Sequence, residues 1–347
     1  MKVNRNELLN ITEKVMLGTS DNAYIDGVDN LVFTEDSVHS YNDSISVSVL
    51  TGFGLSGCVN AKDFNKLLQK LSTEEIEVEV AEDLWNVESG RTKAKLKLKQ
   101  DSITDYISEL NLQELDWKEL PVDFMSAVNL CKIASNSSSK RGVFVSGSDL
   151  ITTDQIRINL YKLSAEMEQF WIDDVGVFGL AKLNEPIEKY ALTENWVHFI
   201  SKNNTIFTIK RNNDELYPKD KIIEWTGNLA KSDDDEENQL PKSITQTLDR
   251  VGVLSKDIDG FQAVKLQLQQ KSLTVSSETD SGIIEESLDW DTPFKNELDI
   301  SFMIDFTFLK EAVTKSQCFY IKNQSDNCFV VFQNDKHNQF ISTIGGA

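Results

Sequence analysis

One order of secondary-structure patterns recurs three times along this chain of 347 residues. The pairs Leu120-Pro121 and Leu240-Pro241 each open an amphipathic helical pattern, and proline is tolerated in the first turn of a helix. The pairs stand 120 residues apart, which is about a third of the chain. The N-terminal run 2–18 has the same helical pattern, and all three runs lead into the period-two apolar alternation of strands. The repeat predicts three copies of one supersecondary unit.

A second helical pattern lies in the later half of each third. These patterns cover 61–71, 174–183 and 305–315, and each is followed by short alternating runs. After the first, strict alternation over 76–80 and 94–98 predicts a β-hairpin. Each third therefore has the order helix, strands, helix, strands.

The dense acidic run 232–239 separates the second third from the last. Carboxylates this close together repel one another and favour a solvated linker. A metal site is the alternative, but adjacent carboxylates seldom converge on one ion without a glycine-pinned loop. The sequence therefore predicts three domains, at 1–118, 119–231 and 240–347, with the linker at 232–239.

The net charge argues against nucleic-acid binding, but the distribution of charged residues along the chain changes this conclusion. With 35 Lys and Arg against 56 Asp and Glu, the formal net charge is −21, whereas phosphate binding needs a basic surface. The six predicted helices nevertheless sum to +5, and the rest of the chain to −26. They are taken as 2–18, 61–71, 122–136, 174–183, 241–256 and 305–315. Positive charge is thus sorted onto the helices.

Two of these helices show a basic stripe. In 61–71, Lys62, Lys66 and Lys70 fall on one face, opposite the apolar side chains. In 241–256, Lys242 and Arg250 lie opposite the apolar side. The alternative for each stripe alone is an ordinary solvated helix face. Their joint occurrence in a repeated unit of an acidic protein favours phosphate binding.

Three stretches, at 59–91, 151–158 and 254–266, resemble the bacterial sliding clamp, the β processivity subunit of the replicative DNA polymerase. The first resembles that family's helix followed by a hairpin with S-G-R, here Ser89-Gly90-Arg91. The second, I-T-T-D-Q-I-R-I, is similar to the family's A-T-D-G-H-R-L, with Tyr217-Pro218 in place of a later F-P. The third, L-S followed by F-Q-A-V-K-L, is similar to L-S and F-R-G-V-R-L. The resemblance spans essentially the whole chain.

The resemblance implies an α+β fold, the DNA-clamp fold, with three repeated domains that each have two inner helices backed by antiparallel sheets. Two subunits would close head to tail into a homodimeric ring around double-stranded DNA, bound without regard to base sequence. The implied function is that of a processivity factor, not an enzyme, with DNA polymerase and the clamp loader as partners and with no cofactor or metal.

The resemblance assigns the basic helix faces to the DNA channel. Lys140 and Arg141 correspond to a family loop that touches DNA. The full set of expected DNA-binding residues is Arg5, Lys14, Lys62, Lys66, Lys70, Lys132, Lys140, Arg141, Lys242, Arg250 and Lys310.

The resemblance also implies a hydrophobic pocket for partner peptides between the second and third domains. Its expected residues are Thr153, Arg157, Ile158, Pro218, Ile223, Phe261, Ile341, Thr343 and Ile344. Gln155-Ile156 replace the family's G-H in the pocket strand, and 342–347 replaces its Met-Pro-rich C-terminus, so peptide specificity is expected to differ. For Ile158 and Ile223 plain core packing is the alternative.

The ring joint is expected to involve Ala94 and Leu96 of one subunit and Val253 and Leu254 of the next. Ala94 stands where the family usually has an aromatic residue, and a phenyl-to-methyl change in a packed site loses up to about 3–5 kcal/mol. The joint is therefore expected to be weak. This divergence is typical of a phage-encoded or distant clamp.

Other functions are less well supported by the residues. The three histidines are far apart, and the G-x-G-x-x-G at 52–57 precedes a strand pattern rather than a helix, which argues against a phosphate cradle. A clamp-fold interaction scaffold, or an acidic protein that mimics DNA, is the alternative that keeps the fold. With no long apolar run and four scattered cysteines, the chain is expected to be cytoplasmic and not membrane-bound.

Overall fold

The computed structural model describes residues 1–21, 25–132, 142–154, 156–258, 260–295, 299–324 and 327–344. The chain forms two compact units, each built from two stretches of sequence. The first unit comprises Met1–Val128 and Met167–Asp214, and the second comprises Asn129–Glu166 and Glu215–Ala347.

Eight α-helices lie within the described residues. They are α1 (Arg5–Val15), α2 (Ala61–Lys70), α3 (Thr104–Glu109), α4 (Phe124–Cys131), α5 (Asp174–Lys182), α6 (Lys219–Asn228), α7 (Ile244–Val251) and α8 (Phe306–Lys315). The longest of them has 11 residues, and none could cross a membrane.

The strands of the first half are β1 (Lys2–Asn4), β2 (Asn30–Phe33), β3 (Ser37–Tyr41), β4 (Ile45–Leu50), β5 (Gly57–Asn60), β6 (Glu75–Val80), β7 (Leu84–Ser89), β8 (Thr92–Lys97), β9 (Lys118–Glu119), β10 (Val143–Thr153) and β11 (Arg157–Ile172). Those of the second half are β12 (Ile187–Leu192), β13 (Trp196–Ser201), β14 (Thr205–Lys210), β15 (Asn238–Gln239), β16 (Lys256–Ile258), β17 (Phe261–Leu268), β18 (Ser272–Thr279), β19 (Gly282–Asp289), β20 (Ile300–Asp305), β21 (Cys318–Gln324), β22 (Asn327–Gln333) and β23 (His337–Ser342).

The first unit holds two sheets. One has the order β1-β6-β7-β8, and the other has the order β5-β2-β3-β4-β14-β13-β12-β9 with antiparallel pairing throughout. The pairing of β4 with β14 sets Val47 opposite Phe207. Strands that the sequence assigns to two predicted domains therefore share one sheet.

The second unit repeats this arrangement. Its six-stranded sheet has the order β10-β11-β23-β22-β21-β15, and its other sheet has the order β16-β17-β18-β19 with β20 paired to β17. Strands from the predicted second and third domains again share a sheet, through the pairing of β11 with β23. The predicted domain boundaries stay predictions.

All six predicted helices are present, with shorter ends than expected. Residues Lys2–Asn4 form β1 because they pair with β6, and 256–258 form β16, so both ends leave the helices. Helices α3 and α6 were missed. The signal for α6 was available, because a proline at 218 precedes apolar Ile222 and Ile223 and aromatic Trp225.

The second helix of each predicted repeat begins with the same device. A strand ends at Asn60 and at Asp305, and Asp173 follows the end of β11. Each side chain accepts a hydrogen bond from a backbone N–H three residues on, at 3.1, 3.0 and 2.8 Å respectively. Asn and Asp are favoured at this position because they satisfy an N–H that the helix itself leaves unpaired.

The acidic run is partly tied down. Asp235 accepts hydrogen bonds from the backbone and hydroxyl of Ser232 at 2.6 and 2.7 Å and pairs with Lys322 of β21 at 2.5 Å. Asp233 and Asp234 are exposed. Within the described residues no group of His, Cys, Asp and Glu is arranged to hold a metal ion.

Two buried histidines make the free energy of unfolding depend on pH. His198 lies between the hydroxyls of Thr208 and Thr193, at 2.9 and 3.2 Å, and His337 contacts Asn159 at 2.9 Å. The pKa of each imidazole is lowered from 6.5 to about 4, by burial for His198 and by burial together with nearby Lys315 for His337. Between about pH 4 and pH 6.5 the unfolded chain therefore binds more protons than the folded chain.

We expect full stability above pH 6.5 and a loss of about 1.4 kcal/mol per histidine for each pH unit below it, down to about pH 4. Urea unfolding of the wild type and of His198→Gln at pH 7, 6 and 5 measures this. The stability advantage of the wild type over the variant should shrink as the pH falls. An advantage that stays constant between pH 7 and 5 would contradict the assignment.

Candidate nucleic-acid interface and partner site

Helix α2 presents the predicted lysine stripe to solvent. Phe64 and Leu68 are buried on its inner face, where Phe64 packs edge-on against Phe33 and Trp85 with ring centroids 5.7 and 5.5 Å apart. Three lysines are exposed on the opposite face, at Lys62, Lys66 and Lys70. The predicted amphipathic division of this helix is confirmed.

The three lysines differ in their partners. Lys62 pairs with the exposed carboxylate of Asp21. Within the residues that the structure describes, Lys66 and Lys70 form no ion pair with a carboxylate. These two ammonium groups are therefore the ones most open to an incoming anion.

Arg5 and Lys14 of α1 both bind other groups of the protein. The guanidinium of Arg5 donates to the carbonyl of Leu68 at 3.1 Å, which ties α1 to the end of α2. Lys14 pairs with the nearly buried Glu185 at 2.5 Å. Burial alone would raise the pKa of Glu185, but hydrogen bonds from Lys14, Ser201 and Asn203 outweigh it and lower the pKa.

In the second unit α7 packs against α8, and their exposed cations already face carboxylates. Lys310 pairs with Asp249 at 2.5 Å. Arg250 donates to both carboxylate oxygens of Glu286 on β19, at 2.8 and 2.5 Å. The hydrogen bonds from Arg250 and from a threonine hydroxyl on α7 hold the pKa of Glu286 at about 2, so this pair is a fixed fork.

Lys242 and Lys132 are the remaining predicted DNA-binding residues that the structure describes. Lys242 is exposed just before α7, and its backbone N–H donates to Asp291 at 2.8 Å. Lys132 donates to Asn129 at 3.3 Å. Lys140 and Arg141 lie outside the described residues, as does Gln155 of the pocket strand.

The positive charge is more concentrated than the sequence indicates. With the observed bounds, the net charges of α1, α2, α4, α5, α7 and α8 are 0, +2, 0, 0, 0 and +1. Four lysines (Lys2, Lys132, Lys242 and Lys256) and two aspartates (Asp123 and Asp305) fall outside these helices. These six helices thus sum to +3 instead of the expected +5. Helix α2 holds most of it.

Arg157 is the centre of the predicted partner site, and it is fully buried. Its guanidinium donates to Asp154 at 2.9 Å and to Glu311 of α8 at 2.6 Å. The same group lies 3.8 Å from the ring centroid of Phe308. Two carboxylates and an aromatic face therefore hold the cation where water is excluded.

Strand pairing brings the other strand residues of this site together. Arg157 is paired with Ile341 and Ile158 with Phe340 across β11 and β23. The hydroxyl of Thr153 donates to the carbonyl of Arg157 at 2.8 Å. Ile158 and Ile341 are buried, so they form the core beneath the site, as the alternative interpretation of Ile158 anticipates.

The end of β23 and the start of β17 contribute the next residues of the predicted partner site. The backbone N–H of Ile344 donates to Met303 of β20 at 2.7 Å, and that of Thr343 donates to Cys328 at 3.0 Å. Phe261 meets Phe308 edge-on at 6.3 Å, which links it to the arginine cluster. Met303 remains partly exposed beside Ile344.

Ile223 lies on α6, which packs on the six-stranded sheet, and Pro218 directly precedes this helix. Tyr217 stacks on Phe144 of β10 with ring centroids 4.3 Å apart, and Trp225 meets Phe329 of β22 edge-on at 4.8 Å. Ile223 is 37% exposed, so it is not a fully buried core residue.

The predicted joint residues lie on an edge strand, β8, and in the 3-10 turn Gly252–Leu254 that follows α7. Ala94 and Leu96 are half-buried on β8, which pairs only with β7 within the described residues. Val253 is 77% exposed, and the carbonyl of Leu254 accepts a hydrogen bond from Ser277 of β18 at 2.6 Å.

Sequence reasoning did not identify Phe308, Glu311 and Met303 as residues of the partner site, because their role depends on contacts across the chain rather than on a local motif.

Solved structures of the same architecture are sliding clamps. The DNA polymerase sliding clamp of Bacillus subtilis is 20% identical, with 100% of this chain and 99% of that chain covered at a TM-score of 0.77. The DNA polymerase III beta chain of Streptococcus pneumoniae is 18% identical, with 99% and 98% covered at 0.79. The Helicobacter pylori beta clamp bound to a DNA ligase peptide is 15% identical, with 99% of each chain covered at 0.76.

No protein-family model and no curated protein sequence matches the chain. The likeness to the solved structures therefore rests on three-dimensional form, and it confirms the predicted fold class. The chain has the α+β sliding-clamp fold along its full length.

Removing one carboxylate from the arginine cluster should destabilise the second unit. Glu311→Ala leaves the fully buried guanidinium with Asp154 as its one carboxylate and also removes the partner of Lys315, and we expect a loss of about 1–3 kcal/mol in the free energy of unfolding. Lys310→Ala, on the same helix, breaks an exposed ion pair and a distant contact with the Phe306 ring at 5.8 Å, and should cost about 1 kcal/mol or less. Urea titration distinguishes them, and equal losses would contradict a structural role for the buried pair.

Proposed function

We propose that this chain is a divergent bacterial-type sliding clamp, a non-enzymatic processivity factor that encircles duplex DNA and tethers a DNA polymerase to it. The full-length sliding-clamp fold supports the class. The observation that carries the proposal is the exposed stripe of Lys62, Lys66 and Lys70 on α2 of an otherwise acidic chain.

The stripe suits sliding because lysines contact phosphates and do not read bases. One lysine of the stripe and two further cations of the expected channel already face carboxylates, in the pairs Lys62–Asp21, Lys310–Asp249 and Arg250–Glu286. Exposed pairs such as the first two are worth at most about 1 kcal/mol, so a phosphate displaces the carboxylate easily. Contacts of this kind form and break readily, which permits movement along the duplex.

The same proposal assigns partner binding to the surface around the Arg157 cluster. Exposed apolar side chains of Ile223 and Met303 and the half-buried Phe261 offer anchors for a short hydrophobic peptide of a polymerase or clamp loader. The buried Arg157–Glu311 pair ties β11 to α8 at this surface. The Helicobacter pylori beta clamp of the same fold is bound to a DNA ligase peptide, which supports a peptide as the class of partner.

Ring closure is proposed to join β8 of one subunit to β19 of the next. Both strands have one unpaired edge within the described residues. The exposed face of β8 bears Lys93, Lys95 and Lys97, and that of β19 bears Glu285 and Asp289. Half-buried Ala94, Leu96, Ile284 and Leu288 alternate with them. Such edges complement each other in hydrogen bonding, charge and apolar surface.

A second candidate, a clamp-fold scaffold or DNA mimic without a processivity role, is favoured by one observation. Helices α1, α4, α5 and α7 have no net charge, and the chain as a whole has −21. Under this alternative the α2 lysines are a solvated surface only.

Reversing the two unpaired lysines should weaken DNA binding. For Lys66→Glu/Lys70→Glu we expect at least tenfold weaker affinity for a labelled 30-base-pair duplex, because about two phosphate contacts are replaced by repulsion. The slope of log affinity against log salt should also fall by about 1.8. Fluorescence anisotropy at several salt concentrations measures both.

The matched control is Lys265→Glu/Lys271→Glu, which reverses two exposed lysines on β17 and the following turn. It should bind DNA like the wild type. If the two double variants behave alike, or if the wild type binds no duplex, the scaffold candidate is favoured over the clamp.

The proposed joint can be tested by charge exchange. Lys95→Glu/Lys97→Glu should shift the protein from dimer toward monomer in sedimentation velocity, since like charges would then face each other across the edge. Combining it with Glu285→Lys/Asp289→Lys should restore the dimer. A combined variant that remains as monomeric as the first would contradict pairing between these two edges.

A further inference from the structure

The eight-stranded sheet of the first unit has one face turned away from α1 and α5, and α3 packs on part of that face, where Tyr106 stacks on Tyr41 of β3. Ser40 of β3 faces α1, because its hydroxyl donates to the carbonyl of Val15 at 2.6 Å. Phe207 of β14 faces α5, where a Cβ at Gly179 would lie 2.8 Å from its ring. Since neighbouring strand residues point to opposite faces, His39 and Ile206 lie on the side away from these helices.

A row of side chains crosses this outer face. Strand pairing sets His39 beside Ser48, Ser48 beside Ile206, and Ile206 beside Ile200. This row forms the floor of a cavity of about 490 Å³, with Leu50 and Leu112 among its other apolar lining residues. That volume is in the range of ligand sites in proteins, about 300–1,000 Å³.

The cavity continues into a second one. A neighbouring cavity of about 360 Å³ shares His39, Leu112 and Gln113 with the first and extends from Ile107 of α3 to Glu114 in the segment that follows it. Together they form an elongated groove, which we call the outer groove. Its shape fits an extended chain better than a compact small molecule.

The polar end of the outer groove is rigid. The imidazole of His39 lies between the hydroxyls of Ser37 and Ser48, at 2.7 and 2.8 Å. Ser37 also contacts the hydroxyl of Thr34 at 2.5 Å. These partners fix the ring, so the groove is preformed. By contrast, Leu50 at its rim is 62% exposed, an unusual position for a large apolar side chain.

Backbone pairing cannot account for recognition here. Strands β3, β4 and β14 are each paired on both sides, so no edge is open for strand addition. Recognition must come from side chains. The charged groups that line the two cavities are Asp36 and Glu114, both exposed carboxylates, with no lysine or arginine among the lining residues.

We propose that the outer groove is a docking site for a partner protein, which contributes an apolar peptide segment flanked by lysine or arginine. The apolar side chains would enter beside Leu50, Leu112 and Ile206, and the flanking cations would meet Asp36 and Glu114. This site is separate from the α2 stripe and from the Arg157 cluster. It does not depend on the proposed role on DNA.

The test uses two fluorescein-labelled peptides with the same Leu-Phe-Leu core, one flanked by two lysines at each end and the other by two glutamates. Fluorescence polarisation with the full chain should show binding of the lysine-flanked peptide. Leu50→Glu should weaken it at least tenfold, and Asp36→Asn/Glu114→Gln should weaken it several-fold and reduce its salt dependence. Hydrogen exchange should show protection within 34–50 and 107–114.

Leu216→Glu is the matched control, since Leu216 is 66% exposed and lies in the second unit. It should bind like the wild type. Three outcomes overturn the proposal: no binding of the lysine-flanked peptide, equal binding of the glutamate-flanked peptide, or a loss of binding with Leu216→Glu and not with Leu50→Glu. The last outcome would assign the peptide to another apolar surface. Unfolding of each variant, followed by circular dichroism, verifies that the fold is intact.

Discussion

The antiparallel pairing of β4 with β14 is the interaction on which the first unit depends. It places Val47 opposite Phe207 and joins strands from two repeats into one eight-stranded sheet. One face of that sheet receives α1 and α5, and the other bears the outer groove. The pairing of β11 with β23 has the same role in the second unit, where it sets Arg157 beside Ile341. Sheets shared between repeats thus position both the helices and the candidate sites.

The charge of −21 becomes compatible with DNA binding only because of how individual cations are partnered. Lys14 is held by Glu185, and Arg250 is held by Glu286 in a two-bond fork. Their charge is largely neutralised within the protein. Lys66 and Lys70 have no such partner among the described residues, so α2 dominates the field that a phosphate would meet. Partnering, more than the count of basic residues, selects the proposed contacts.

Much of the fold could be predicted from the sequence because its signals are local. The proline pairs, the 3.6-residue apolar spacing and the alternation over 76–80 mark helices and strands directly. The division of α2 into Phe64 and Leu68 on one side and three lysines on the other follows from the same spacing. Helix α6 was missed because its apolar positions are few, although Pro218 marked its start.

The contents of the sites were harder to predict because they depend on long-range contacts. The sequence pointed to Arg157 only through a family resemblance, and nothing local indicated that Glu311, 154 residues away, would neutralise it. The ion pairs of Lys14 and Lys310 were likewise invisible in the sequence, as was the outer groove, whose floor needs three separate strand registers. Pairing across the chain is information that periodicity does not contain.

Encirclement of DNA is the central claim, and order of addition tests it most directly. The protein is mixed with a linear biotinylated duplex either before or after streptavidin blocks both ends, and the DNA-bound fraction is then measured after a wash in high salt. Because salt removes phosphate contacts and leaves a closed ring in place, a clamp should remain only when it was added before the block. Retention that does not depend on the order of addition, or no retention in either case, would contradict encirclement.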